Sequence, residues 1–117
     1  MLNHPLQLDS IFHALSDPTR RAVVEQLSRG PLSVSDLARP FAMSLSAIVQ
    51  HLQILDAAGL VRSVKVGRVR TCQIEPQTLR MVEQWVAERR TAWEHRLDCL
   101  GDYLAAQAEH PEGDHND

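Results

Sequence analysis

Apolar residues first recur at helical spacing in Leu8, Ile11, Phe12 and Leu15, and they predict a short first helix. Asp17 and Pro18 then supply an N-cap and a proline at the first helical position. Ala22, Val23, Val24 and Leu27 give a second helix its apolar face, and Gly30-Pro31 ends it. Ser33 or Ser35 caps a short third helix that carries Leu37 and Ala38 and is limited by Pro40. A fourth helix starts after Ser44 and stops at Ala58-Gly59. At about 100° per residue, Leu45, Ile48, Leu52 and Leu55 share one face of it, and Ser46, Val49, Gln50 and Gln53 share the opposite one.

From Val61 the pattern changes to alternation. The β-branched runs Val61–Val66 and Val69–Ile74 meet at Gly67-Arg68, which predicts a two-stranded hairpin with a basic tip. A long helix follows from Gln77 to about Ala108, with Leu79, Val86, Trp93 and Leu100 at seven-residue intervals, joined by Leu97 and Leu104. Residues 109–117 are polar and acidic, with Pro111 and Gly113, and are expected to be disordered. The expected fold is mainly α with a small β-hairpin: a winged helix-turn-helix over residues 1–108, with terminal helices available for dimerisation.

Composition agrees with a single domain of 117 residues. No run approaches the roughly 18 apolar residues of a membrane span, the N-terminus lacks a secretory pattern, and Cys72 and Cys99 lie far apart. A cytoplasmic protein is expected, with no membrane partner. The net charge of -3 conceals an uneven distribution. Residues 1–72 hold eight basic and five acidic side chains, net +3; residues 73–117 hold four basic and ten acidic, net -6. Double-stranded DNA therefore fits one face only.

The chemistry for DNA reading lies on the fourth helix. Gln50 has the two-atom amide that pairs with adenine, Ser46 and Gln53 donate or accept beside it, and Val49 suits a thymine methyl. Ala47 lies on the same exposed turn, and Ser44 with the helix N-terminus suits a phosphate. The helix carries no positive charge. Arg62, Lys65, Arg68 and Arg70 on the hairpin supply it, and Arg20 and Arg21 either reach phosphate or pair with acids. Leu8, Ile11, Phe12 and Leu15, with Trp93, Leu97, Leu100 and Leu104, are expected at a dimer interface. No catalytic motif is present, so no enzyme activity and no cofactor are expected.

The segments LSDPTRRAVVEQL (15–27), LSVSDLA (32–38), SAIVQHLQILDAAGLV (46–61) and VGRVRTCQI (66–74) resemble, in this order, the ArsR/SmtB family of bacterial transcriptional regulators. WVAERRTAWEHRLDCLGDYL (85–104) resembles the variant of the family without known metal sites, often encoded beside a START-like lipid-cavity protein. The resemblance implies a homodimeric repressor on an inverted-repeat operator, commonly its own promoter, and places His51 near DNA. Metal-sensing members carry cysteines at the positions of Ser33 and Ser35, and a serine hydroxyl is a poor ligand for soft ions. No metal site is expected; His95 and Cys99, four apart, form a pair that lacks two further ligands. Leu45, Val49 and Gln53 depart from the family, where arginine, serine or lysine is frequent. Two rival readings are a metal- or thiol-responsive sensor with a nonstandard site and a winged-helix adaptor for protein. Neither a small-molecule inducer nor the operator is readable from the residues.

Overall fold

A computed structural model describes residues 4–109. In chain order it contains α1 (His4–Leu15), α2 (Pro18–Leu27), β1 (Leu32–Ser33), α3 (Val34–Ala38), α4 (Leu45–Ala57), β2 (Val61–Val66), β3 (Val69–Ile74) and α5 (Pro76–Glu109). The tail expected to be disordered lies, beyond Glu109, outside the described residues. The chain divides into two compact units, Met1–Val82 and Glu83–Asp117.

In the first unit, local chemistry sets each helix end. Asp17 is the extended N-cap of α2, and its Oδ2 accepts the Arg20 N–H at 3.0 Å. Ser33 caps α3 by accepting the Asp36 N–H at 3.1 Å, and Ser44 caps α4 by accepting the Ala47 N–H at 3.2 Å. At the end of α4, Gly59 at φ +79 takes the left-handed conformation that side chains resist. Its N–H donates to Asp56 O at 2.9 Å, and the Leu60 N–H donates to Leu55 O at 3.0 Å. These are the two bonds of a Schellman stop. Thr78 Oγ1 donates to Gly59 O at 2.5 Å and ties the first turns of α5 to this stop.

The core gathers Ile11, Val23, Leu37, Ile48, Leu55, Leu60, Val61 and Cys72, all essentially without solvent contact. Burying each large aliphatic contributes about 1.5–3 kcal/mol, so α4 is held chiefly by Ile48, Leu52 and Leu55. Leu45, expected on the same face, is 54% exposed. Met43 through Ser46 are all exposed, so the first turn of α4 lies at the edge of the body. Ile11, expected at a dimer interface, is instead fully enclosed in its own core, where it lies with Val23 of α2 and Ile48 of α4. Leu8 and Leu15 are half-buried against that core, whereas Phe12 is exposed.

The hairpin has the expected strands but belongs to a three-stranded antiparallel sheet, ordered β1-β3-β2. Leu32 pairs with Cys72 and Ser33 with Thr71. A two-residue strand is too short to show any alternation in sequence. In the hairpin, Val61 pairs with Ile74 and Val66 with Val69. Its inner end is buried at Val61 and Cys72, while Val64, Val66 and Val69 stand exposed, so the outer half projects as a wing. Gly67 at φ +62 makes the turn and leaves Arg68 beside it at the tip.

In the second unit, every described residue of α5 except the half-buried Ala87 is exposed, including Val86, Trp93, Leu97, Leu100 and Leu104. Arg89 stacks over the Trp85 ring at 5.0 Å from its centroid.

Burial pushes the Cys72 thiol up from its usual range, while Cys99 is exposed. An aromatic disulfide reagent should therefore titrate one thiol per chain in native buffer and both in strong denaturant. Two equally fast thiols in the native protein would contradict the buried position of Cys72.

Candidate nucleic-acid interface

The interface is built outward from α4. With Ile48, Leu52 and Leu55 turned into the core, Ser46, Gln50 and Gln53 are exposed and Ala47 and Val49 half-buried. Ser44 Oγ lies 3.3 Å from Ser46 Oγ, so the helix start presents two hydroxyls together with the free N–H groups of the first turn. The structure thus brings Ser44, Ser46, Ala47, Val49, Gln50 and Gln53 onto one continuous outer surface. The side chains of Gln50 and Gln53 make no hydrogen bond among the described residues, leaving both amides open to a ligand.

The wing arginines divide by their partners. Arg62 Nε lies 3.3 Å from Glu75 Oε2, and Arg70 donates to Ser63 Oγ at 3.0 Å. Lys65 and Arg68 are exposed and have no ion pair among the described residues. Of these four cations, Arg62 alone has a carboxylate partner among the described residues, so the charges of Lys65, Arg68 and Arg70 are not already offset. Between α4 and the wing runs a groove of about 540 Å³, with Val49 and Gln53 on one wall and Ser63 and Arg70 on the other.

The side chains of the α2 arginines bond backbone carbonyls, a role not expected from the sequence. Arg20 is buried, with Nε donating to Ala14 O at 2.7 Å and an NH2 donating to His13 O at 3.3 Å. Arg21 donates to Leu15 O at 2.8 Å. Both satisfy carbonyls at the C-terminal end of α1, where positive charge also suits the helix dipole. His51 is half-buried on the flank of α4, its Nδ1 3.2 Å from Arg20 NH1 and 3.9 Å from Asp17 Oδ2. The hydrogen bond from the Arg20 N–H holds the Asp17 carboxyl below its ordinary value. This Asp17–Arg20–His51 group escaped the sequence; its only trace is that an N-cap and a helix flank happen to carry ionisable residues.

Ser33 is occupied as the α3 cap, and Ser35 is exposed. On α5, Cys99 Sγ lies 3.6 Å from His95 Nε2, and among the described residues no third potential ligand joins them.

Residues 15–64 match the family described as a helix-turn-helix domain. The chain is 37% identical over 98 residues to the HTH-type transcriptional regulator Rv2034 of Mycobacterium tuberculosis, covering 80% of this chain and 92% of that protein. It is 52% identical to an ArsR family transcriptional regulator of known crystal structure, with a TM-score of 0.72, covering 77% of this chain and 93% of that one. This chain belongs to the ArsR family of winged helix-turn-helix transcriptional regulators. The transcriptional repressor SdpR of Bacillus subtilis is a further relative, 34% identical over 61 residues, 52% of this chain and 68% of that protein. No helix among the described residues is long and apolar enough to cross a membrane.

For an ArsR regulator, an unpaired wing cation should act through phosphate. Arg68→Ala is expected to weaken DNA binding and reduce the slope of log affinity against log salt by about one unit per subunit engaged. The same change at Arg62, already paired with Glu75, should have a smaller effect. Equal slopes for wild type and Arg68→Ala would remove that residue from the interface.

Proposed function

We propose that the chain is a homodimeric repressor that reads an inverted-repeat operator with the outer face of α4 and holds the flanking phosphates with the tip of the wing. The observation that carries this reading is the pairing of an open amide surface with unpaired cations: Gln50 and Gln53 on α4, Lys65 and Arg68 on the hairpin. Gln50 supplies a donor and an acceptor in the geometry that adenine presents in the major groove. Repression follows from occupancy, since a protein seated over a promoter excludes the polymerase. The relative SdpR is a repressor.

Dimerisation rests on α5. Trp93 is 61% exposed, and Leu97, Leu100 and Leu104 each about half exposed, on one side of the helix. A contiguous aliphatic and aromatic stripe of this kind is costly in water. Its fitting occupant is the same stripe of a second copy, because a two-fold axis sets two α4 helices against the two halves of an inverted repeat. Arg90 and Glu83 fall on the line through Leu97 and Leu104, so the seam is not a regular coiled coil.

Repeated selection from a pool of randomised duplexes tests the reading with no operator sequence assumed. The expected product is an inverted repeat with half-sites separated by about one helical turn. Failure to enrich any sequence would overturn it. On the selected duplex, Gln50→Ala should cost about 1–3 kcal/mol while binding to random duplex stays nearly unchanged. Equal losses on both would remove Gln50 from base reading.

Trp93→Ala should convert the dimer to monomer in sedimentation and lower affinity for the selected duplex in parallel. Truncating a well-buried aromatic typically costs about 3–5 kcal/mol. A stable wild-type monomer that binds the selected duplex tightly would contradict the dimer.

A further inference from the structure

We propose that Arg20 is a positioning residue that locks His51 in its Nε2–H tautomer and so presents a fixed N–H donor to a DNA phosphate. The inference rests on the reading of α4 as the DNA-facing helix, and it adds a residue that touches no DNA itself.

Arginine has only donors and stays charged. The nitrogen facing it at 3.2 Å, His51 Nδ1, must therefore offer a lone pair, and a neutral imidazole that accepts at Nδ1 carries its proton on Nε2. Arg20 has little freedom to follow a different tautomer. Its guanidinium is anchored by Ala14 O and His13 O independently of His51, and the residue is 7% exposed. Asp17 Oδ2, at 3.9 Å, is beyond hydrogen-bond reach of Nδ1, so Arg20 is the hydrogen-bond partner of that nitrogen.

The other ring nitrogen faces the opposite situation. Nε2 has no hydrogen-bond partner among the described residues, and the His51 side chain is 21% exposed. It lies on the flank of α4 that it shares with Ala47, between the buried row of Ile48, Leu52 and Leu55 and the open row of Ser46, Gln50 and Gln53. A donor set back from the base-reading row suits the backbone that borders the groove rather than a base edge. Its orientation is fixed before DNA arrives, so less side-chain freedom is lost on binding. Arg20, although buried, thereby links the end of α1 to the edge of the reading helix.

Two readouts test this. Long-range correlation spectra of the histidine ring nitrogens in the ¹⁵N-labelled full chain, near neutral pH, report the tautomer directly, with the His51 signals identified by their loss in His51→Gln. A protonated Nε2 and an unprotonated Nδ1 are expected; the opposite tautomer, or rapid averaging of the two, would overturn the proposal. In Arg20→Met the single-tautomer pattern should give way to averaging, and the wild-type spectrum decides the matter if that variant fails to fold. The second readout is affinity for a short random-sequence duplex at low salt, because phosphate contacts do not depend on base sequence. His51→Leu, which keeps the bulk and removes the donor, should weaken binding about five- to tenfold, and His51→Gln should recover most of that loss. No loss in His51→Leu, or equal losses in both, would overturn the phosphate contact. If Arg68→Ala weakens the same duplex while His51→Leu does not, only this inference fails. If the wild type binds neither random nor selected duplex, the repressor reading fails with it.

Discussion

The burial of Ile48, Leu52 and Leu55 is the constraint from which the rest of the interface follows. Three side chains on one face of a thirteen-residue helix, enclosed by α1, α2, α3 and the base of the sheet, allow α4 one rotation about its own axis. A turn of even one residue position would place His51 or Gln53 in the core and a leucine in water, at a cost of several kcal/mol. The outward row of Ser46, Gln50 and Gln53 is thus specified by what lies beneath it. The Schellman stop at Gly59 fixes where the helix ends and the first wing strand starts, so reading face and wing are set relative to each other by one short, hydrogen-bonded corner.

Charge is distributed to suit that geometry. In the proposed interface α4 carries no positive charge along its outer face, and the cations sit on the hairpin. Of the wing cations, Arg62 is drawn back to the Glu75 carboxylate, whereas Arg70 donates only to the neutral Ser63 hydroxyl, which leaves the charges of Lys65, Arg68 and Arg70 for a polyanion. The arginines of α2, by contrast, serve the carbonyl end of α1. Orientation and attraction are divided between two elements. A reading face without cations, as proposed, would also limit what nonspecific DNA gains from it.

Much of this was visible in the sequence, because the signals concerned are local and periodic. Asp17-Pro18, Ser44 and Ala58-Gly59 mark their helix ends through backbone chemistry that needs no tertiary partner, and the change from helical to alternating spacing at Val61 marks the wing. What stayed hidden depends on neighbours distant in sequence. Leu45 obeys the helical period yet lies at the edge of the body, 54% exposed. Ile11 fits an outward apolar row as well as an inward one, and only the packing of α2 and α4 decides. Strand β1 is two residues long and exists because β3 offers it an edge. The role of Arg20 requires His51, thirty-one positions later, and the carbonyls of α1, and no spacing rule connects them.

Titration of the ¹⁵N-labelled protein with its selected duplex, followed by backbone amide shifts, tests directly whether α4 and the wing form the DNA surface. The largest changes should fall on residues 44–53 and 65–70, with the same wing signals moving on random duplex and the signals around Gln50 moving far less. Changes concentrated on α2, α3 or the outer face of α5, with residues 44–53 unmoved, would contradict it.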